Sequence, residues 1–232
     1  MTPLSARLEA VLALLDPCRM LVDVGTDHAL IPLAAVERGL AQRALASDLR
    51  IAPLRAARRR IRASSVAKRV LLLREDGLSA LAPGAVDAVV LAGMSGELMV
   101  RLCSDAARVL AGVTQLVLQP NSDAVVVRRW ALHNGWHLHD ERLLYERGQY
   151  FTLCSFRKGE AADPAYASDR FSEDALCLVG PHLLARKDET AARFAAWQCQ
   201  RLSALVEQGG HVMQPELDVW QAAVAVLTEM IS

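Results

Sequence analysis

The sequence predicts an α/β fold: a doubly wound, mostly parallel sheet followed by a C-terminal antiparallel helical hairpin. Three observations predict it. From Met20 to Phe156, short apolar runs ending in an acid, a glycine or an amide alternate with helix-like stretches. That is the pattern of strands joined by crossover helices. Val86 to Leu91 is almost continuously apolar, as a strand buried on both faces must be. Near the C-terminus, Leu217, Trp220, Val224, Leu227 and Ile231 recur every three or four residues, the spacing of a short coiled-coil seam.

The elements follow in order. Ser5 caps a first helix that sets Leu8, Val11, Leu12 and Leu15 on one face. Met20 to Val24 is the first strand, and Pro32 to Arg38 the helix after it, closed by Gly39. Arg43 to Ser47 is the second strand. Pro53 suits the first position of a helix running to about Ala63. Val70 to Leu73 is the third strand, stopped by Asp76-Gly77, and Pro83-Gly84 marks a turn. Val86 to Leu91 is the fourth strand. Gly93-Met94-Ser95-Gly96 breaks it and starts a helix to about Leu110. Leu116 to Leu118 is the fifth, ended by Gln119-Pro120-Asn121, with a helix from Asp123 to His133. Trp136 to Leu144 and Gln149 to Phe156 form a hairpin at the sheet edge. Lys158 to Arg170 is a polar linker. A short helix opens at Ser172 and ends at Gly180-Pro181. Two long helices, Leu183 to Glu207 and Pro215 to Ile231, complete the chain, with Phe194, Trp197, Leu202 and Leu205 facing the seam. The expected division is a ligand-binding domain over 1–160 and a linker with a helical domain over 161–232.

Bulk composition narrows the function. No run of 18 apolar residues exists, so no membrane span is expected, and the N-terminus lacks the pattern of a signal peptide. The five cysteines are scattered, with no CxxC and no Cys/His cluster at zinc spacing. This predicts no metal site, buried thiols and a reducing cytoplasm. Nothing in the chain points to an obligate protein partner. Net charge is zero, but residues 1–160 carry 21 Lys and Arg against 16 Asp and Glu, and residues 161–232 carry 5 against 10. Eight basic residues lie between Arg50 and Arg69. They read either as a solvated helix face or as a phosphate-contacting patch.

Ligands of doubly wound sheets lie beyond the carboxyl ends of the strands. The first such end reads Asp23-Val24-Gly25-Thr26-Asp27-His28. Gly25 lets a ligand approach the backbone. Asp23 can accept from an ammonium group or order the loop. Phosphate-binding loops need several glycines and no carboxylate facing the anion. One glycine and two acids instead suit a cationic adenosine compound, and S-adenosylmethionine fits. Asp48 ends the second strand about 20 residues after the glycine, where a ribose-binding acid belongs, or is a plain strand-end turn. Asp76-Gly77 ends the third strand, where a carboxylate can accept from an adenine amino group. His28 is a base, a substrate contact or a structural histidine. Gly93-Met94-Ser95-Gly96 lies where an acceptor base would sit, although Ser95 can equally cap the next helix. Gln119-Pro120-Asn121 offers two amides to a base edge.

These motifs, in this order, resemble those of the bacterial tRNA (adenine-22-N1)-methyltransferases. That family begins Leu-Ser-x-Arg-Leu, here Leu4-Ser5-Ala6-Arg7-Leu8. It continues Asp-Ile-Gly-Ser-Asp-His-Ala-Tyr-Leu-Pro, here Asp23 to Pro32. Ser47-Asp48, Asp76-Gly77, Ala92-Gly93-Met94-Ser95-Gly96 and Leu118-Gln119-Pro120-Asn121 complete the set. Leu30 stands where the family has tyrosine, and Ser95 where it has a second glycine. The resemblance implies a class I, Rossmann-like methyltransferase fold with S-adenosylmethionine as donor and tRNA as acceptor. It implies that Asp23, Gly25, Thr26, Asp48, Leu49, Asp76, Gly77, Ala92 and Gly93 hold the donor. Arg7, Met94, Ser95, Gln119, Pro120 and Asn121 contact the substrate, and Asp27 and His28 act in catalysis. Competing readings are the same fold acting on another RNA or a small molecule, a non-catalytic binding module, and a dinucleotide-dependent oxidoreductase. The last conflicts with the acidic, single-glycine loop.

Overall fold

Strand runs of four to eight apolar residues pair only where crossover helices bring them side by side, and the computed structural model, which describes residues 3–229, shows how. Seven strands form one sheet: β1 (Cys18–Val24), β2 (Ala41–Ser47), β3 (Val70–Leu73), β4 (Ala88–Ser95), β5 (Gln115–Ser122), β6 (Trp136–Glu146) and β7 (Gln149–Lys158). Their spatial order is β3-β2-β1-β4-β5-β7-β6. The first five are parallel, and the β6–β7 hairpin adds an antiparallel edge. The order reverses between β1 and β4, which puts a ligand crevice at their carboxyl ends.

Alternation along each strand separates two cores. Val22, Val24, Val89, Leu91, Leu116 and Leu118 face one side. There α4 (Gly96–Asp105), α5 (Ala107–Leu110) and α6 (Ala124–His133) cover them. Leu21, Ala44, Ala46, Val90 and Val117 face the other, beneath α1 (Ala6–Ala13), α2 (Leu30–Glu37) and α3 (Ile51–Arg62). The small alanines of β2 let α2 lie close to the sheet.

Four more helices follow: α7 (Glu173–Val179), α8 (Pro181–Arg186), α9 (Glu189–Glu207) and α10 (Gln214–Thr228). Leu202 of α9 and Leu217, Trp220 and Leu227 of α10 are buried in the cluster that also holds Val89 and Leu116. The hairpin is therefore packed on the α4/α6 side of the sheet. A buried ion pair anchors α7, at the root of this C-terminal segment, to α6 and β6. Arg128 Nε of α6 lies 2.6 Å from Glu141 Oε1 of β6, and Arg128 Nη1 donates to the Cys177 carbonyl at 2.9 Å. Burial opposes the Arg128 charge, but the Glu141 carboxylate keeps it protonated well above its ordinary range. Gly180 leaves room for the pair, since a Cβ there would stand 2.6 Å from Glu141 Oε2.

Several boundaries differ from the sequence reading. β4 continues through Gly93 and Met94 to Ser95, and β5 through Pro120 to Ser122, with register shifts between them. The helix after Gly96 stops at Asp105, and a separate turn of helix runs to Leu110. Pro53 is the third residue of α3, not its first. The single helix expected from Leu183 to Glu207 is broken at Lys187, whose φ of 49° ends α8 before Asp188 caps α9. The linker is packed: Asp163 is buried, accepting from Leu138 N at 2.7 Å and Ala165 N at 3.0 Å. On α9, Ala191, Ala195 and Leu202 are buried, while Trp197 and Leu205 are exposed. Ile231 lies outside the described residues. All five cysteines are free, three buried and two half-buried. Burial raises the Cys103 thiol to about 12, so it stays protonated and unreactive. Among the described residues, no helix is long and apolar enough to cross a membrane.

Candidate functional site: the carboxyl ends of β1, β2, β4 and β5

Asp23 sits at the carboxyl end of β1, buried between β2 and β4. Burial raises its carboxyl to about 7; the Thr26 side chain pulls the other way, and Asp48 and Asp27 add to the rise. Gly25 follows at φ 73°, where a Cβ would come 2.9 Å from the Met94 Cε. Thr26 is buried, its amide donating to the Ser47 carbonyl at 2.8 Å. That bond ties the ends of β1 and β2 together.

The chain then bends sharply. His28 and Ala29 take φ of 61° and 54° in succession, with Ala29 capping α2. Two consecutive non-glycine residues in this region store strain, which marks functional loops more often than plain turns. The bend leaves Asp27 and His28 exposed, with His28 Nε2 at 3.2 Å from Asp27 Oδ1.

Asp48 is buried just beyond β2. Its Oδ1 accepts from the Arg50 amide at 2.7 Å and from Arg50 Nε at 3.2 Å, and its Oδ2 from Arg50 Nη2 at 3.2 Å. A largely solvent-exposed arginine thus lies on the carboxylate. Beside it, Leu49 is 54% exposed, an apolar face at the edge of the crevice. The hydroxyl of Ser47 is buried with no hydrogen-bond partner among the described residues. Asp76 is exposed three residues past β3, and Gly77 is buried against Leu102.

A polar relay links α1 to the two central strand ends. Arg7 Nη1 donates to Gln119 Oε1 at 2.6 Å, with the guanidinium 5.3 Å from the Phe151 ring. Gln119 Nε2 donates to Asn121 Oδ1 at 3.3 Å, and Asn121 Nδ2 to the Gly93 carbonyl at 2.9 Å. Ser95 Oγ accepts from Leu98 N and caps α4.

The fold brings Arg7, Asp23, Gly25, Asp27 and Ala92 around one cleft of about 80 Å³. Met94 and Gly93 touch it through Gly25 and Arg7. Asp48, Leu49, Asp76 and Gly77 lie outside that cleft, along the next two strand ends. His28 faces a larger groove of about 1050 Å³ between α2 and α3, lined by Arg59, Arg60 and Arg69. Pro120 and Asn121 line a third cleft toward α9. The sequence reading missed Arg50 as a partner of Asp48 and Phe151 under Arg7. The Asp-x-Arg spacing was a usable signal for the first. The second comes from the edge hairpin, which no local pattern connects to α1.

Residues 4–154 match the protein family described as a methyltransferase domain. A curated protein of Bacillus subtilis (strain 168), tRNA (adenine(22)-N(1))-methyltransferase, is 31% identical over 205 residues, 88% of this chain and 85% of its own. The crystal structure of the B. subtilis m1A22 tRNA methyltransferase is 28% identical, covers both chains in full and superposes with a TM-score of 0.84. A Streptococcus pneumoniae structure, a putative tRNA (m1A22) methyltransferase in complex with S-adenosyl-L-methionine, is 24% identical. It covers 96% of this chain and 100% of its own with a TM-score of 0.85, a likeness of fold.

Proposed function

This chain belongs to the methyltransferase-domain family, among the tRNA (adenine(22)-N(1))-methyltransferases, and from that membership we infer that it moves a methyl group from S-adenosylmethionine to N1 of adenine 22 in a tRNA. The observation that carries the reading is the buried Asp23 carboxyl at the β1/β4 switch point, beside a single glycine and two further acids. Such a corner repels a diphosphate and attracts a cation.

The residues present fit the donor. Gly25 and Gly93 leave backbone bare where a Cβ would meet Met94 or Arg7. Asp23 would hold the ammonium group, with its carboxyl in the charged form. Asp48 takes the ribose hydroxyls, exchanging its Arg50 contacts for them, and Leu49 offers an apolar face beside it. Asp76 accepts from the adenine amino group. When bound, the donor supplies a methyl group already activated by its sulfonium charge. The protein therefore works mainly by placing two partners in line and excluding wrong geometries.

The acceptor nitrogen lies on the pairing edge, so the adenine must present N1 free of a Watson–Crick partner. The N1 lone pair forms the new bond to the methyl carbon as the carbon–sulfur bond breaks, and positive charge passes to the adenine ring. Asp27, exposed and unshielded, stabilises that charge. His28, whose Nε2 lies 3.2 Å from Asp27 Oδ1, accepts the proton that leaves the exocyclic amine. The Arg7–Gln119–Asn121 relay orients the amide that meets the base edge. The exposed arginines of α3 contact phosphates of the tRNA. Free thiols, three of them buried, and an RNA substrate support action in the cytoplasm.

The deciding experiment incubates tRNA with the protein and isotopically labelled donor, then analyses nucleosides by mass spectrometry. Labelled 1-methyladenosine at position 22 is expected. Label in another nucleoside or only in small molecules moves the acceptor elsewhere, and no label in any fraction overturns the reading.

A further inference from the structure

Between the carboxyl end of β5, the β6–β7 turn and α9 lies a cleft of about 530 Å³ that the methyl-transfer steps leave unused. Only eleven residues of this chain are aromatic, and five of them converge here: Tyr145 and Tyr150 from the hairpin, Phe194 and Trp197 from α9, and Trp220 from α10. The rings interlock. Tyr145 and Tyr150 are 4.7 Å apart, Tyr150 and Phe194 5.0 Å, and Phe194 stacks on Trp197 at 5.8 Å with an interplanar angle of 23°. Packing explains the inner end of this row, where Trp220 is buried. It does not explain the outer end, where Trp197 is 47% and Tyr145 57% exposed. Exposed aromatic faces at a concave, partly apolar site are a stacking surface waiting for a planar partner.

The polar groups say which partner. Arg201 stands 5.9 Å from the Trp197 ring, but its Nε donates to Gln198 Oε1 at 3.0 Å and its Nη2 lies 3.8 Å from Glu216. Its charge is largely answered already. Arg128 in the wall is paired with Glu141, and Asp123 stands beside it, so the cleft carries no spare positive charge to hold a phosphate. Gln149 and Gln198 offer both donors and acceptors, which suit the edge of a neutral base. The volume falls within the range of about 300–1,000 Å³ typical of small-ligand sites, enough for one base and its sugar. The wall from Pro120 to Asp123 is continuous with the reaction site, because Asn121 also binds the Gly93 carbonyl.

We propose that this cleft receives one unpaired nucleobase of the RNA substrate, other than the adenine that is methylated, stacked on Trp197 and Tyr145 and bonded at its edge by the amides. The proposal rests on the RNA-methyltransferase reading and adds to it a second point of register on the substrate.

The test uses the full chain with Trp197→Ala, Tyr145→Ala and Trp197→Phe. Both side chains are about half exposed, and thermal melting checks that each variant folds. For the alanine variants the KM for tRNA rises about tenfold, the low end of what stacking one base is worth. The kcat and the donor Kd stay near wild type, and Trp197→Phe recovers most of the loss. Independently, a short single-stranded oligoribonucleotide quenches the intrinsic tryptophan fluorescence of the wild type, and Trp197→Phe removes that quenching. Unchanged KM in both alanine variants, or no quenching in the wild type, overturns the proposal while the methyltransferase reading stands. Quenching by the oligoribonucleotide without methyl transfer to any tRNA overturns the methyltransferase reading and leaves the base site in place.

Discussion

At the scale of single residues, the Asp23 carboxyl bears on stability and, in the function proposed above, on donor binding. In the fold it keeps its proton up to about pH 7, against an ordinary value of 3.8. A raised value of this kind favours the fold fully below the ordinary value, and that benefit is lost as pH rises through about 7. Asp23→Asn therefore melts progressively higher than wild type as the pH is raised from about 4 to about 8. Donor affinity in the wild type rises over the upper part of the same range, because a cation recruits the charged carboxylate. Calorimetry across pH checks this: Asp23→Asn binds donor weakly and without that dependence. Asp23, Gly25 and Asp48 were legible from the sequence because strand-end acids and a lone glycine have few reasons to stand where they do. The Arg50 clamp on Asp48 had only the Asp-x-Arg spacing to signal it, and the doubled left-handed bend at His28 and Ala29 had nothing. The bend depends on backbone angles that no side-chain type announces.

At the scale of elements, the sequence located every strand but ended four of them early, β4 and β5 by the most. Gly93 in β4 and Pro120 in β5 read as breakers, yet the pairing absorbs them by slipping register, as strands do at active sites. The slip carries Asn121 to the Gly93 carbonyl. Close packing follows, and a Cβ on Gly96 would strike the Asp123 carbonyl. Gly96→Ala should cost about 1–3 kcal/mol, as overpacking against backbone does, read as a lower melting temperature with the donor site as reporter. The Lys187 break was illegible because the residues around it all favour helix, and only Asp188 signalled a new start. The Arg128–Glu141 pair joins α6, β6 and α7 without solvent. Arg128→Ala strands a buried carboxylate and should cost about 3–5 kcal/mol. In urea unfolding, Arg128→Met combined with Glu141→Leu should recover most of that loss. If the double variant is as unstable as the two single ones together, the pair is not coupled as described.

At the scale of the whole molecule, charge is divided rather than balanced, with an excess of basic residues before residue 160 and of acidic ones after it. On α3, Arg55, Arg58, Arg59 and Arg62 are exposed. With Arg58, Arg59 and Arg62 all changed to Glu, tRNA affinity should fall at low salt. The dependence of log affinity on log salt should flatten by about one unit for each arginine that meets a phosphate. Filter binding over a salt series measures this, and donor affinity should not move. Which halves of the chain carry which charge was plain in the sequence. That the C-terminal helices share a hydrophobic cluster with the sheet was not, since heptad spacing says what a helix buries and not against what.

The solvent-free bolt between Arg128 and Glu141 has a mechanical consequence. It pins α7 to α6 and β6, so the chain enters the C-terminal helices from a fixed root.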